Sequence, residues 1–78
     1  MIFDQGIVFE MDETAAIWGT ARDGTRFKLC ITRQYAERVW RIRYSEAEVT
    51  VKVWLHIDEL RNVARQKLAD GLKEFILQ

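Results

Sequence analysis

The dipeptide Asp23-Gly24 limits the fold more than any other feature of this sequence. Both residue types adopt positive φ readily, so together they form the two-residue turn that joins antiparallel strands. Residues 15–22 before it have strand-like composition, and residues 25–31 after it alternate polar and apolar side chains. The sequence therefore predicts a β-hairpin centred on this dipeptide.

A two-residue turn also predicts the pairing across the hairpin. The predicted partners are Arg22 with Thr25, Thr20 with Phe27, Trp18 with Leu29, and Ala16 with Ile31. One face of the hairpin would then carry the apolar side chains Trp18, Phe27, Leu29 and Ile31 and face the core. Its wetter face would carry Arg26, Lys28 and Cys30.

Two further strands are expected beside this hairpin. Residues 6–11 are apolar enough to form an earlier strand, which makes a three-stranded antiparallel meander. Residues 73–77 could return to the sheet as an edge strand after Gly71 ends the preceding helix in the left-handed conformation. We expect an α+β domain over residues 1–78, with an antiparallel sheet of three to four strands packed against a short and a long helix.

The helices are predicted from capping residues and from apolar spacing. Thr32 is a suitable N-cap for a short helix that ends near Arg43, with apolar positions at Tyr35, Ala36, Val39 and Trp40. Residues 49–55 are β-branched and alternating, which is typical of a strand. However, Ser45 and Glu48 form a capping box, and one apolar stripe continues through residues 49–68. We therefore predict a long helix over residues 46–69, with a strand over 46–55 as the alternative.

Length and composition predict a partner for this chain. A chain of 78 residues buries a modest core, and its single cysteine excludes an internal disulfide. One cysteine and one histidine cannot build a closed metal site, so no metal or other cofactor is expected. Three tryptophans are many for so short a chain to bury. These observations favour a homo-oligomer, most simply a dimer.

The start of the chain has neither a basic segment nor a long apolar run, and no apolar stretch approaches a membrane span. A lone thiol suits a reducing compartment. The expected location is the cytoplasm, without membrane association.

No set of residues predicts catalysis. The only serine, Ser45, is used as a helix cap, and His56 lies in the long helix beside its apolar stripe. Cys30 could be a reactive thiol, but a small buried filler is the simpler interpretation. The four glycines are scattered and form no phosphate loop. We therefore expect a non-enzymatic protein with no catalytic residues.

Protein–protein interaction is the function that the sequence favours. Trp54 lies off the apolar stripe of the long helix, and tryptophan and arginine are enriched at the centres of interfaces. The alternative for Trp54 is a lateral core position. If its ring is exposed, the predicted interaction surface comprises Trp54, His56, Arg41 and Arg43.

Nucleic-acid binding is the second hypothesis, because residues 22–43 carry seven basic and two acidic residues within a chain of zero net charge. Interleaved aromatic residues could stack on bases. The predicted contacts are Arg26, Lys28, Arg33 and Arg38. The simpler interpretation is a solvated basic surface that pairs with the acidic residues 1–14.

Three stretches resemble a known family: Asp23-Gly24, Cys30-Ile31-Thr32-Arg33, and residues 60–68, Leu-Arg-Asn-Val-Ala-Arg-Gln-Lys-Leu. Together they span most of residues 7–69. They resemble a family of small bacterial proteins known as domain of unknown function fourteen eighty-eight. The sequence departs from that family at Ala36 and Val53, and it lacks the proline and the Gly-rich or acidic connector that the family often has between the helices. The resemblance implies a helix over residues 46–69 and helices packed on an antiparallel sheet, and it implies no activity, ligand or site residue.

Overall fold

The computed structural model describes residues 1–78, which form four strands and three helices. In chain order these are β1 (Ile2–Glu10), β2 (Thr14–Thr20), β3 (Arg26–Thr32), α1 (Arg33–Arg38), α2 (Glu46–Leu55), α3 (Ile57–Ala69) and β4 (Glu74–Leu77). The strands form one sheet in the order β1-β2-β3-β4. The predicted α+β class and the β1-β2-β3 meander are confirmed.

The fourth strand gives the sheet a mixed character, which differs from the predicted all-antiparallel sheet. β4 runs parallel to β3, with Leu29 opposite Phe75. Parallel neighbours need a crossover connection, and α1, α2 and α3 together supply it. Because these helices lie between β3 and β4 in sequence, they cover one face of the sheet.

The hairpin is present, but its predicted register is wrong by one residue. Gly24 takes φ +92° and donates to the carbonyl of Ala21, while Ala21 donates to the carbonyl of Thr25. These bonds describe a three-residue loop with a left-handed glycine, whereas a two-residue turn was expected. The observed pairs are Thr20 with Arg26, Gly19 with Phe27, Trp18 with Lys28, Ile17 with Leu29, Ala16 with Cys30, and Ala15 with Ile31.

The register change moves Trp18 to the other face of the sheet, because neighbouring strand residues point in opposite directions. Trp18 was expected in the core and is instead 39% exposed on the outer face. Its place on the inner face is taken by Ile17 and by Gly19, over which the ring of Phe27 packs. Cys30 lies on the outer face as predicted, beside Ala16.

The inner face and the helices share one hydrophobic core. Its sheet residues include Phe3, Ala15, Ile17, Phe27, Leu29, Ile31 and Phe75, and its helical residues include Ala36, Val49, Val53, Leu60 and Ala64. The rings of Phe3 and Phe75 both pack on Phe27, at centroid distances of 5.6 and 5.7 Å. The helical members confirm the stripe predicted through residues 49–68.

The predicted caps are confirmed, although two of the helix boundaries differ. Thr32 accepts from the Tyr35 amide and Ser45 from the Glu48 amide, so α1 and α2 begin as expected. α1 ends at Arg38, short of Arg43, which leaves Val39 exposed and turns Trp40 into the core. Gly71 closes α3 with φ +86°.

The predicted long helix is interrupted at His56, where ψ is +21°. The interruption separates α2 from α3, and it coincides with a stack of the imidazole on the Trp40 ring at 5.5 Å. Residues 46–55 are helical, so the strand alternative is excluded. None of the three helices has the length and apolar character needed to cross a bilayer.

Candidate interaction surface

The outward side of α2 is the most apolar helical surface that the fold leaves uncovered. It carries Ala47, Val51, Trp54 and Leu55, which we call the α2 outer face. Val51 is 65%, Leu55 67% and Trp54 38% exposed. At 3.6 residues per turn, Val51 lies about 160° around the helix from the buried Val49 and Val53. α2 is therefore apolar on two opposite sides, and the protein covers only one of them.

A shallow groove runs along one side of this face. Its volume is about 280 Å³, and it lies between α2 and the loop that precedes it. Ile42 contributes the loop side, while Ala47 and Val51 contribute the helix side. Glu48 and Lys52 complete the lining with one charge of each sign. The groove could accept an apolar side chain from a partner, with a polar group at its edge.

The four residues predicted for protein interaction have different environments. Trp54 is exposed on the α2 outer face, off the buried stripe as expected. Arg41 and Arg43 are exposed on either side of Ile42, and neither forms an ion pair. His56 is half-buried, because it stacks on Trp40 and its Nδ1 lies 3.3 Å from a Glu59 carboxylate oxygen. Its ring is thus already occupied by contacts within the chain.

The residues predicted for nucleic-acid contact are held by partners within the chain. Arg26 pairs with Asp4 at 2.9 Å, and Lys28 pairs with Glu10 at 3.3 Å. Each of these basic side chains leaves β3 and reaches across β2 to an acid of β1. The pairing is the one that the simpler interpretation of the charge pattern predicts.

The remaining two predicted contacts lie on α1. Arg33 is paired with both Glu13 and Glu37. Arg38 donates to the backbone carbonyl of Gln78 at 2.6 Å. All four predicted contacts therefore have acceptors within the chain.

The ion pairs of Arg26 and Lys28 shift pKa values within these pairs. The hydrogen bond from Arg26 lowers the pKa of Asp4, and the hydrogen bond to Glu10 raises the pKa of Lys28. Both shifts favour the charged forms, so both pairs persist at neutral pH. A phosphate would have to displace carboxylates from Arg26 and Lys28 before it could bind them.

The side chains that could serve as a nucleophile or a base lie apart from one another. Cys30 is 4% exposed, and burial raises the pKa of its thiol, which disfavours the nucleophilic thiolate. Ser45 caps α2 and also lies 3.4 Å from a Glu48 carboxylate oxygen. The imidazole of His56 stacks on the Trp40 ring. No group of three metal-ligating side chains is present.

A wider cleft of about 520 Å³ lies between the hairpin loop and the last turns of α3. Its charged lining consists of Arg22, Asp23 and Arg65, all of them exposed side chains. Small-ligand sites usually contain converging polar groups that are removed from solvent. This cleft lacks them, so the α2 outer face remains the better candidate site.

Sequence reasoning identified Trp54 but missed Ala47, Val51 and Leu55. The signal was present, because these three residues recur at a spacing of four, as the buried Val49 and Val53 do. Two such sets in one segment also produce the alternating pattern of a strand. The outward set was therefore interpreted as strand alternation and not as a second helical face.

No family model, curated protein or solved structure matches this chain. The resemblance to domain of unknown function fourteen eighty-eight therefore stays a prediction.

Proposed function

We propose that this chain is a non-catalytic accessory protein of the cytoplasm that acts by binding another protein through the α2 outer face. The observation that supports this most directly is the exposure of Val51, Trp54 and Leu55 on one side of a helix whose opposite side is fully buried. Contiguous apolar patches on small proteins commonly mark interaction sites.

The composition of the face suits a protein partner. A tryptophan beside two aliphatic side chains offers one large anchor and a flat apolar surround, as in the centres of many interfaces. Complete burial of an aliphatic side chain such as Val51 or Leu55 contributes about 1.5–3 kcal/mol. The groove beside Ile42 adds a recess for one partner side chain.

Nucleic-acid binding through residues 22–43 has weaker support. Affinity for nucleic acid comes largely from unpaired basic groups that replace counterions on the phosphates. Here Arg26, Lys28 and Arg33 already face carboxylates. The exposed arginines without an ion pair include Arg41 and Arg43, which precede and follow Ile42 in the chain and could equally meet acidic groups of a protein.

The experiment is a selection of random displayed peptides on the folded wild-type protein, with counter-selection on a Val51→Glu variant. We expect peptides whose binding shifts the amide resonances of residues 47–55. Their affinity should fall at least about tenfold in Val51→Glu, because a carboxylate would replace the central apolar contact.

Arg65→Glu is the matched control, since Arg65 is an exposed helical residue away from this face. It should bind the selected peptides as the wild type does. Random-sequence single-stranded DNA and RNA form a parallel arm. Nucleic-acid binding without any α2-directed peptide would reverse the order of the two hypotheses.

A further inference from the structure

The sheet has an outer face that no element of the chain covers. The register aligns Val8, Ala16, Cys30 and Ile76 in one row that crosses all four strands. Ala16 and Cys30 form its buried centre, while Val8 and Ile76 stand at its two ends, 52% and 54% exposed. Every position of this row is apolar, which is unusual for the solvated side of an antiparallel sheet.

The next row carries the aromatic residue of this face. Trp18 on β2 lies opposite Lys28 on β3, and the Lys28 ammonium lies 5.6 Å from the Trp18 ring centroid. Glu74 follows on β4, at the edge of the sheet. The positive charges on this face are already paired, through Arg26 with Asp4 and Lys28 with Glu10. A protein surface can therefore approach without leaving an unpaired cation beneath it.

We propose that this outer sheet face binds a second copy of the same chain, face to face, about a two-fold axis parallel to the strands and midway between β2 and β3. Such an axis places β1 over the partner's β4 and β2 over the partner's β3, and it keeps each row opposite itself. This proposal stands on a different surface from the α2 outer face and does not depend on it.

The row pattern is complementary to itself under this operation. Val8 meets Ile76 of the second copy and Trp18 meets Lys28, with each contact made twice. Ala16 and Cys30 lie opposite each other beneath these contacts, because both are already buried within their own chain. Glu74 comes opposite the irregular segment of β1 between Phe3 and Ile7, which comprises Asp4, Gln5 and Gly6. Asp4 is paired with Arg26 at 2.9 Å, so Glu74 of the second copy approaches an ion pair and not a lone carboxylate. An isologous contact of this kind closes as a dimer and leaves no open end.

The size of the face predicts a reversible association. Four strands about 4.8 Å apart and seven residues long, at about 3.3 Å per residue, give a projected area on the order of 400 Å². Stable dimers bury about 800 Å² of accessible surface per partner. The corrugated accessible surface exceeds the projection, so the interface falls at the lower end of specific contacts. We expect a monomer–dimer equilibrium in the micromolar range.

The test is sedimentation of the full chain from low micromolar to several hundred micromolar concentration. The wild-type mass should approach twice that of the monomer across this range. Val8→Glu should remain monomeric, because it opposes a carboxylate to Ile76 of the second copy. The double variant Val8→Glu/Ile76→Lys should regain the dimer through ion pairs between chains.

An ion pair between the side chains at positions 8 and 76 cannot form within one chain. Val8 and Ile76 lie on the two edge strands, three strand spacings or about 14 Å apart. Val51→Glu is the control, since it changes the α2 outer face and should leave the wild-type mass curve unchanged. That control separates this proposal from the proposed function, because peptide binding at α2 can fail while the dimer persists.

A second measurement uses the unchanged protein. In a mixture of isotope-labelled and unlabelled chains, filtered spectra should show contacts between Val8 methyls and Ile76 methyls. A wild type that stays monomeric at all concentrations, or a dimer without these methyl contacts, would overturn the proposal. So would a folded double variant that fails to regain the dimer.

Discussion

Gly19 is the residue at which the sheet is most closely packed. A Cβ placed there would lie 2.3 Å from Cζ of Phe27 and within 3 Å of two further ring carbons. The Phe27 ring cannot move aside easily, because Phe3 and Phe75 pack against it. Glycine is needed at this position for space and not for a left-handed backbone, since its φ is not positive.

Gly19→Ala should therefore destabilise the fold by about 1–3 kcal/mol, as overpacked core substitutions do. The free energy of unfolding, measured by urea denaturation, tests this expectation. Gly6→Ala is the matched control in a strand, because a Cβ at Gly6 meets nothing within 4 Å. Equal stability of the two variants would show that the Phe27 ring adjusts freely.

Tyr44 carries a buried polar atom that has no hydrogen-bonding partner. Its hydroxyl is buried and makes no hydrogen bond, while its ring contacts Phe9 edge-on at 6.3 Å. Burial raises the pKa of this phenol. Tyr44→Phe keeps the ring and removes the unsatisfied group, so we expect unchanged stability or a gain of about 1 kcal/mol. Thermal unfolding measures it, and a clear loss would indicate a hydrogen bond that this structure does not contain.

Among the elements, Thr32 connects a helix to a distant strand. Its hydroxyl accepts from the Tyr35 amide at 3.1 Å and donates to the Leu77 carbonyl at 3.0 Å. One side chain therefore both starts α1 and holds β4 against the end of β3. Ser45 caps α2 in the same manner, but its hydroxyl has no contact outside that helical turn.

This difference predicts unequal costs for two similar substitutions. Ser45→Ala should cost about 1 kcal/mol, the usual contribution of a cap. Thr32→Ala should cost about 2–3 kcal/mol, because the bond to Leu77 is lost as well. It should also accelerate amide hydrogen exchange in β4. Similar costs for the two variants, with β4 exchange unchanged, would contradict a connecting role for Thr32.

The elements also show where sequence reasoning succeeds. Caps and turn glycines were predicted correctly at Thr32, Ser45 and Gly71, because each is decided by bonds within one turn of chain. The hairpin register was wrong because Asp23 does not take the positive φ that a two-residue turn needs, so Arg22 joins Asp23 and Gly24 in a three-residue loop. That single residue reversed the faces of the whole strand, and with them the environment of Trp18.

Non-local geometry accounts for what was missed. The parallel direction of β4 depends on where three helices return the chain, which no local pattern encodes. The break at His56 coincides with a stack on Trp40, sixteen residues earlier in the chain. Of the candidate site, only Trp54 was identified, because the α2 outer face shares its period with the buried face of the same helix.

At the scale of the whole molecule, the two exposed apolar surfaces lie on opposite layers. The sheet carries one on its outer face, and α2 carries the other on the helical side of the core. Pairing through the sheet would leave both α2 outer faces pointing away from the dimer axis. Such a dimer would bind a partner that carries two sites more tightly than either site alone, through effective concentration.

The fold also brings the acidic and basic segments of the chain together. The acids of β1 and of the turn after it lie against the bases of β3 and α1, in the pairs Asp4–Arg26, Glu10–Lys28 and Glu13–Arg33. The basic segment is therefore neutralised by the fold itself. Removal of these acids should expose a cationic surface on an otherwise unchanged molecule.

We expect the variant Asp4→Asn/Glu10→Gln/Glu13→Gln to bind nucleic acid more tightly than the wild type does. Three lost negative charges take the net charge from zero to +3. Binding to labelled random single-stranded DNA, followed by fluorescence anisotropy, should weaken with salt at a logarithmic slope of roughly −2 for three phosphate contacts. The wild type should show no binding at the same salt.

The matched control is Glu46→Gln/Glu48→Gln/Asp70→Asn, which reaches the same net charge but changes acids that form no ion pair with the basic segment. Binding by the first variant alone would show that the gain in affinity comes from the basic side chains freed of their acidic partners, because the net charge is equal in both variants. Equal binding by both variants would mean that net charge, and not pairing across the sheet, keeps nucleic acid away. Strong binding by the wild type would show that phosphates displace these carboxylates, and would make residues 22–43 the functional surface.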